Sequence, residues 1–354
     1  MVKSNEKLGV MLILMPIIGA SVHIIQKFLF ECVSVGSDNM PHKFHKPFFF
    51  TWLGSLGLFT SFLFNCLTNF SYYKKKFFNN KFKKPFLQIA ISTFFNLMAG
   101  TLSNVTSLYL NYSVSLMLRS STLIFGALIN IFYLHRPLAS YQISSVILTV
   151  IAIFFVGLAA LLSGSKTTHR EASKFWVGII VIIRILSKSL QAISMIIEER
   201  VMSSTSTTAV ELTGLSGIWS LFFSTLILIP SEDCSDTFSM LLNSKPIFAL
   251  SLLSVLVFGV WTILSLQITK KASAVARMVF DQLTIVVVWV VQLFIHWFVV
   301  GTPNEEKYGR AGEAWTKWSW IQLLGFSLMV VGACVYQRII RLPWFSYDEL
   351  LTLD

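Results

Sequence analysis

The sequence predicts an all-α, polytopic membrane protein with ten transmembrane helices arranged as two inverted five-helix repeats, residues 1–164 and residues 165–354 with a short tail. Three observations carry this. Hydrophobic residues make up 55% of the 354-residue chain and charged residues only 13%, with 31 Phe and a mean hydropathy of +0.70. Soluble domains carry about a quarter charged residues, so a water-soluble enzyme of this composition is excluded. Next, apolar stretches near the roughly 20 residues that a helix needs to cross hydrocarbon recur along the whole chain. They lie near 8–30, 47–70, 86–109, 113–134, 138–162, 175–197, 209–229, 247–268, 275–299 and 319–337. Finally, five is odd, so a duplicated five-helix unit enters the membrane in the opposite orientation the second time, the plan of many secondary transporters.

Taken in order, the first span follows Lys3 and Lys7. It is too long for a signal peptide and no A-x-A site follows, so it is expected to be retained. Only Leu110 to Tyr112 separate the third span from the fourth, and Arg184 and Lys188 interrupt the sixth. The join between the halves falls at 163–174, where Ser-Gly-Ser-Lys-Thr-Thr-His-Arg is the most polar stretch of the middle. Ser113 to Leu134 and Ser273 to Phe294 align as the fourth helix of each half, both opening with small residues and a cation before turning apolar.

Lys and Arg in loops favour the cytoplasmic side. Fourteen fall on the N-terminal side, among them six from Lys74 to Lys84, and nine on the opposite side, so both termini are expected in the cytosol. The net charge of +11 is explained by the bilayer, and nucleic acid is not an expected partner. The run from Tyr72 to Lys84 interleaves aromatics with Lys and reads as a topology signal or an anionic-lipid contact.

An ionisable side chain within a span is a functional candidate by default. Seven qualify: Lys27, Arg119, Arg184, Lys188, Glu211, Arg277 and Asp281, five positive and two negative. A shared cavity of that sign favours an anionic solute. Arg184 and Lys188 are four residues apart and lie on one helical face, where a water-filled path or an anion would relieve their repulsion; the alternative is solvation by Ser187, Gln191 and carbonyls at a packing face. Arg277 and Asp281 share that spacing with opposite signs and suit an intrahelical ion pair. Asp281 is also the best candidate for a proton site. Arg119 either binds solute or snorkels, and Lys27 is expected to snorkel. His23 is read as a packing group. The candidate set is thus Arg119, Arg184, Lys188 and Gln191 for solute binding, with Arg277, Asp281 and Glu211 for gating or coupling.

At these segments the chain resembles a known family. Ser115-Leu-Met-Leu-Arg119, Ile124-Phe125-Gly126, Leu134-His-Arg-Pro-Leu138, Glu198-Glu199-Arg200, Gly214-Leu-Ser-Gly217, Ala276-Arg-Met-Val-Phe-Asp281 and Val286 to Trp289 are similar to the drug/metabolite transporter superfamily, solute carrier family 35, F subfamily. The resemblance covers roughly Asn104 to Tyr336. It implies ten helices, inverted repeats, cytosolic termini and carriage of a small solute. The superfamily also holds nucleotide-sugar antiporters and chloroquine-resistance-type vacuolar carriers.

The expected function is therefore a secondary transporter of a small solute, anionic or nucleotide-like, working by alternating access. The alternatives are a proton-coupled vacuolar or lysosomal carrier of amino acids, peptides or cationic drugs, and a non-transporting membrane adaptor. No nucleophile, base or phosphate-loop constellation points to an enzyme. No metal or cofactor is expected, since Cys32, Cys66, Cys234 and Cys334 form no ligand spacing. Cys32 and Cys234 are expected as thiols, and the sequon at Asn111 as unmodified. Tyr347 and Leu350 form a short sorting pattern in the tail that points to a lysosomal or other endomembrane site. Partners are a solute and membrane lipids, with a homodimer left open.

Overall fold

A computed structural model describes residues 2–68, 70, 83–109, 118–119, 121–132, 138–162, 174–205, 207–299, 312, 315–336 and 338–345. In chain order these form α1 (Val2–Glu31), β1 (Val33–Val35), β2 (Pro41–Lys43), α2 (Pro47–Thr68), α3 (Lys83–Ser107), α4 (Ser121–Phe132) and α5 (Ser140–Leu162). They continue as α6 (Lys174–Ser204), α7 (Ala209–Ser231), α8 (Cys234–Asn243), α9 (Lys245–Lys271), α10 (Ala274–Val299) and α11 (Ser319–Tyr336). Eight of the described helices are long and apolar enough to cross a membrane: α1 to α3, α6, α7 and α9 to α11. Two shorter apolar helices accompany them, Ser121–Phe132 and Ser140–Phe155.

Local sequence sets the ends. Pro47 opens α2, where its missing N–H sacrifices no helix bond. The next two amides, of Phe48 and Phe49, donate to the two carboxylate oxygens of Glu232 at 3.0 and 2.9 Å, so an acid from the end of α7 caps α2. Thr208 and Glu211 form a reciprocal capping box at the start of α7. Beyond the expected end near 197, α6 runs on to Ser204 because Val201 and Met202 bury against Leu212 and Leu215 of α7.

The helices pack side by side in antiparallel sequence, and two apolar clusters mark the two ends. One joins Met15, Leu123, Met195, Val275, Met278 and Tyr336, from α1, α4, α6, α10 and α11. With Met11 meeting Lys271, and Arg338 meeting Tyr141, it defines the face on which α1 begins and α11 ends, here the terminal face. The other joins Leu29, Phe44, Phe49, Phe50, Met240 and Ile247 on the opposite, hairpin face.

Small residues let the helices approach closely. A methyl added at Gly217 of α7 would lie 2.5 Å from the Leu58 carbonyl carbon and the Phe59 nitrogen of α2, and one at Gly57 would lie 2.3 Å from the Val255 oxygen of α9. Backbone cannot retreat as a flexible side chain does. Gly217→Ala is accordingly expected to destabilise the bundle by about 1–3 kcal/mol. Thermal unfolding in detergent measures this, and a variant as stable as the parent would mean that α2 and α7 separate freely.

The sequence did not announce the β-hairpin β1–β2 or the short helix α8. The strands pair antiparallel, Ser34 opposite His42, and Ser34 Oγ donates to the Met240 carbonyl of α8 at 3.0 Å. Asn39, in the connecting turn, takes φ 60°, a left-handed conformation that Asn tolerates.

Candidate functional site: a cationic interior cavity

A cavity of about 180 Å³ lies among α1, α2, α3, α6, α7, α9 and α10. Its walls mix apolar rings, Phe50, Phe258 and Trp261, with hydroxyls and amides such as Thr51, Asn96, Asn104 and Ser220. Into it come Arg119, Arg184, Lys188 and Arg277, each 5–7% exposed, and the carboxylate of Glu198. Asp281 stands behind Arg119, so the six charged groups comprise four cations and two carboxylates.

The pairing differs from the expectation for α10. Arg277 and Asp281 do not bond along the helix. Arg119 Nη2 donates to both oxygens of Asp281 at 2.9 and 2.8 Å, and Arg277 Nη1 donates to Glu198 Oε2 at 2.8 Å. Both α10 side chains project into the bundle, and partners arriving from other helices meet them head-on. Each pair ties α10 to a neighbour, Asp281 to the segment before α4 and Arg277 to α6. Next to them, the Ala274 amide at the start of α10 donates to Glu199 of α6 at 2.9 Å.

On α6, Arg184 and Lys188 do share one face and both line the cavity. Arg184 Nη1 donates to the Ser103 carbonyl and, at 3.2 Å, to Thr106 Oγ1 of α3; Lys188 Nζ donates to Gln191 Oε1 at 2.9 Å. Carbonyl and amide solvation thus coexists with cavity exposure. Among the described residues no carboxylate forms an ion pair with Lys188; the Gln191 amide is its hydrogen-bond partner, and the Asp281 carboxylate acts on it from a distance. Gln191 also lines the cavity.

Glu211 sits instead in the capping box of α7, away from the cavity lining. Tyr347, Leu350 and the lysines from Lys74 to Lys81 lie outside the described residues; Lys83 and Lys84 open α3 in exposed positions. The site holds two groups that sequence reasoning passed over. His23 of α1 touches Arg119 Nη1 through Nε2 and lines the cavity. Glu198 was visible only as part of a family motif. Gln26 donates to Asn104 Oδ1 at 3.0 Å, and Asn104 donates on to Thr51 at 2.9 Å, linking α1, α3 and α2 toward the hairpin face.

At that face a second cluster ties the hairpin to α8. Asp236 accepts from the Ser37 amide at 3.0 Å, meets His42 Nε2 at 3.1 Å and pairs with Lys46 at 2.7 Å. Asp38, His42 and Asp236 bring ligand-type atoms within 4.8 Å of one another. The Lys46 ammonium already holds the Asp236 oxygen that a cation would need, so the cluster reads as a clasp. Burial raises the Asp236 carboxyl, but the bonds from Lys46, Ser37 and His42 outweigh it and hold the pKa at about 2. Burial raises the nearby Glu232 carboxyl above its ordinary value, against the pull of the Phe48 and Phe49 amides and Lys46. A depressed acid stabilises the fold above its ordinary value of 3.8 and loses that contribution as pH falls toward 2. The clasp is therefore expected to persist at pH 5. Hydrogen exchange at the Ser37 amide tests this: protection should be equal at pH 7 and pH 5, after correction for intrinsic rates, and lost in Asp236→Ala. No disulfide joins Cys32 and Cys234, although both border the same apolar cluster.

No protein-family model matches the chain. Over 242 residues it is 26% identical to solute carrier family 35 member F6 of Mus musculus and, equally, of Homo sapiens; each match covers 64% of this chain and 59% of the relative. The chain thus spans less than two thirds of these relatives' length. An uncharacterised protein of Schizosaccharomyces pombe is 24% identical over 269 residues, 72% of this chain and 75% of its own. A solved crystal structure superposes on 95% of this chain and 99% of its own with a TM-score of 0.61 at 11% identity, which shows a shared fold. The apolar helices and the named relatives together support an integral, multi-pass membrane protein, similar in sequence to solute carrier family 35 member F6.

Proposed function

We propose that the protein is a secondary transporter that moves a small anionic solute across a membrane by alternating access. The observation that carries this is the interior cavity into which Arg184 and Lys188 both project, with cations outnumbering carboxylates around it. Buried like charges at that depth are costly unless water or an anion lies against them, and a transported anion supplies that counter-charge in each turnover. The same field disfavours cationic drugs. A non-transporting membrane adaptor has no need of a charged cavity inside its bundle, and no enzymatic activity is proposed for a chain whose named relatives are solute carriers.

Two inverted units, residues 1–164 and 165–354, fit the packing. Exchanging each helix for its counterpart, α1 with α6, α2 with α7, α3 with α9, α4 with α10 and α5 with α11, carries the principal contacts onto one another. The α3–α6 contact maps onto α9–α1, α4–α6 onto α10–α1, and α2–α7 and α5–α11 map onto themselves. Such a molecule opens to either side by rocking one unit against the other around a central site. Arg119, Arg184, Lys188 and Gln191 bind the solute in this reading. Arg277 and Asp281 gate, and Glu211 contributes by fixing the start of α7. Cytosolic termini and a lysosomal or other endomembrane site follow from the loop charges and the tail pattern.

Counterflow tests the proposal. Proteoliposomes loaded with unlabelled AMP, phosphate or glutamate are diluted into the same labelled solute. Accumulation of at least one anion above protein-free vesicles is expected; accumulation of cationic amines alone would end the anion reading.

A further inference from the structure

The contact between His23 and Arg119 carries information about protons. A guanidinium has only donors, so the imidazole Nε2 that faces Arg119 Nη1 must offer its lone pair. His23 is therefore neutral in this state, with its single ring proton on Nδ1. Arg119 spans two partners, His23 through Nη1 and Asp281 through Nη2, and so links α1 to α10. Asp281, the acid that burial in a span made the best proton-site candidate in the sequence, is bonded through both oxygens to a permanent cation. Its protonation would leave that cation buried and unpaired.

His23 has the opposite situation. Arg119, Arg184 and Lys188 face it from the segment before α4 and from α6, Asp281 lies across Arg119 from α10, and Gln26 on its own helix hydrogen-bonds the ring. Lys27 follows one turn on along α1. A proton bound at Nε2 removes the acceptor that Arg119 uses and sets imidazolium against guanidinium, so the Arg119 arm must leave the ring. It also adds one positive charge to a cavity already dominated by cations. An anion in that cavity relieves the repulsion, and the same anion is held more tightly by the extra charge.

We propose that His23 is the proton-binding site of the carrier, and that it makes proton and anion binding mutually reinforcing. The proton comes from water on the face to which the cavity is open, occupies Nε2 while the anion is bound, and returns to water on the other face as the anion leaves. The coupling is reciprocal by linkage: whatever factor the proton adds to anion affinity, the anion adds to proton affinity. Proton and anion then move in the same direction, so an acidic compartment drives the anion out of itself. This inference rests on the anion-carrier reading above and specifies its driving ion.

Sulfate and benzenesulfonate test it, since neither changes charge between pH 5 and 8. Binding to the purified full chain in detergent is measured by titration calorimetry, at each pH in two buffers of different ionisation heat. The parent is expected to bind at least one of them about tenfold more tightly at pH 5 than at pH 8, and to take up a fraction of a proton per anion within that range. His23→Gln, which keeps a polar ring-sized side chain without a titrating group, is expected to show neither. Retention of the pH slope or of proton uptake in His23→Gln would overturn the assignment. The parent alone is also decisive, should the variant fold poorly: binding that is flat with pH and releases or takes up no proton defeats the proton site while leaving the anion carrier intact. Failure of both anions to bind at any pH defeats the anion reading itself and His23 with it.

Discussion

Asp281→Asn is expected to destabilise the protein by about 3–5 kcal/mol, because it strands the Arg119 guanidinium as an unpaired charge in the bundle interior. Arg119 and Asp281 are each 5% exposed, and the bond between them is bidentate on the carboxylate. Breaking such a pair costs far more than the pair contributes, since the remaining charge keeps its full desolvation penalty. The double variant Arg119→Met, Asp281→Met removes both charges and replaces them with adaptable apolar side chains. It is expected to recover most of the lost stability while transport stays absent. Unfolding in detergent, followed by fluorescence, measures the first effect and counterflow the second. A loss below about 1 kcal/mol for Asp281→Asn would indicate that water reaches the pair.

Lys188→Ala is expected to weaken anion binding by about 10- to 100-fold, the equivalent of the roughly 1.5–3 kcal/mol that a hydrogen bond to a charged group supplies. The protein itself should become no less stable, because the substitution removes a buried ammonium whose described partner is only the Gln191 amide. Arg184→Ala separates differently. Its guanidinium also bonds the Ser103 carbonyl and Thr106 of α3, so that variant should lose both anion affinity and stability. Binding of AMP, phosphate and sulfate followed by calorimetry distinguishes the two. Unchanged affinity in Lys188→Ala for every anion that the parent binds would remove Lys188 from the site.

The helices were legible because each crossing demands a long apolar run, a constraint written directly into sequence. The face shared by Arg184 and Lys188 was legible too, since helical period alone decides it. What periodicity could not supply was the identity of partners from other helices. Arg277 and Asp281 looked like a pair because they are four residues apart, yet Glu198 and Arg119, separated from them by 79 and 162 residues, take those positions. His23 gained its meaning the same way, from an arginine 96 residues distant. Glu211 also has a local role: Thr208-Ala-Val-Glu211 carries the spacing of a capping box, a signal that was legible in the sequence. The hairpin was missed because two strands of three residues each give too short an alternation to stand out.

Among the described residues the clasped hairpin has no counterpart between α6 and α7, the connection that the proposed repeat relation pairs with it. A carrier whose halves were true mirror copies would rest equally in its two end states. Under the proposed alternating access, the hairpin mouth carries extra bonds that must be kept or broken in each cycle, so the two resting states would differ in free energy. That difference cannot alter the final gradient, which only the driving ion sets. It divides the apparent affinity unequally between the two sides of the membrane, and it determines which half of the empty return stroke limits turnover.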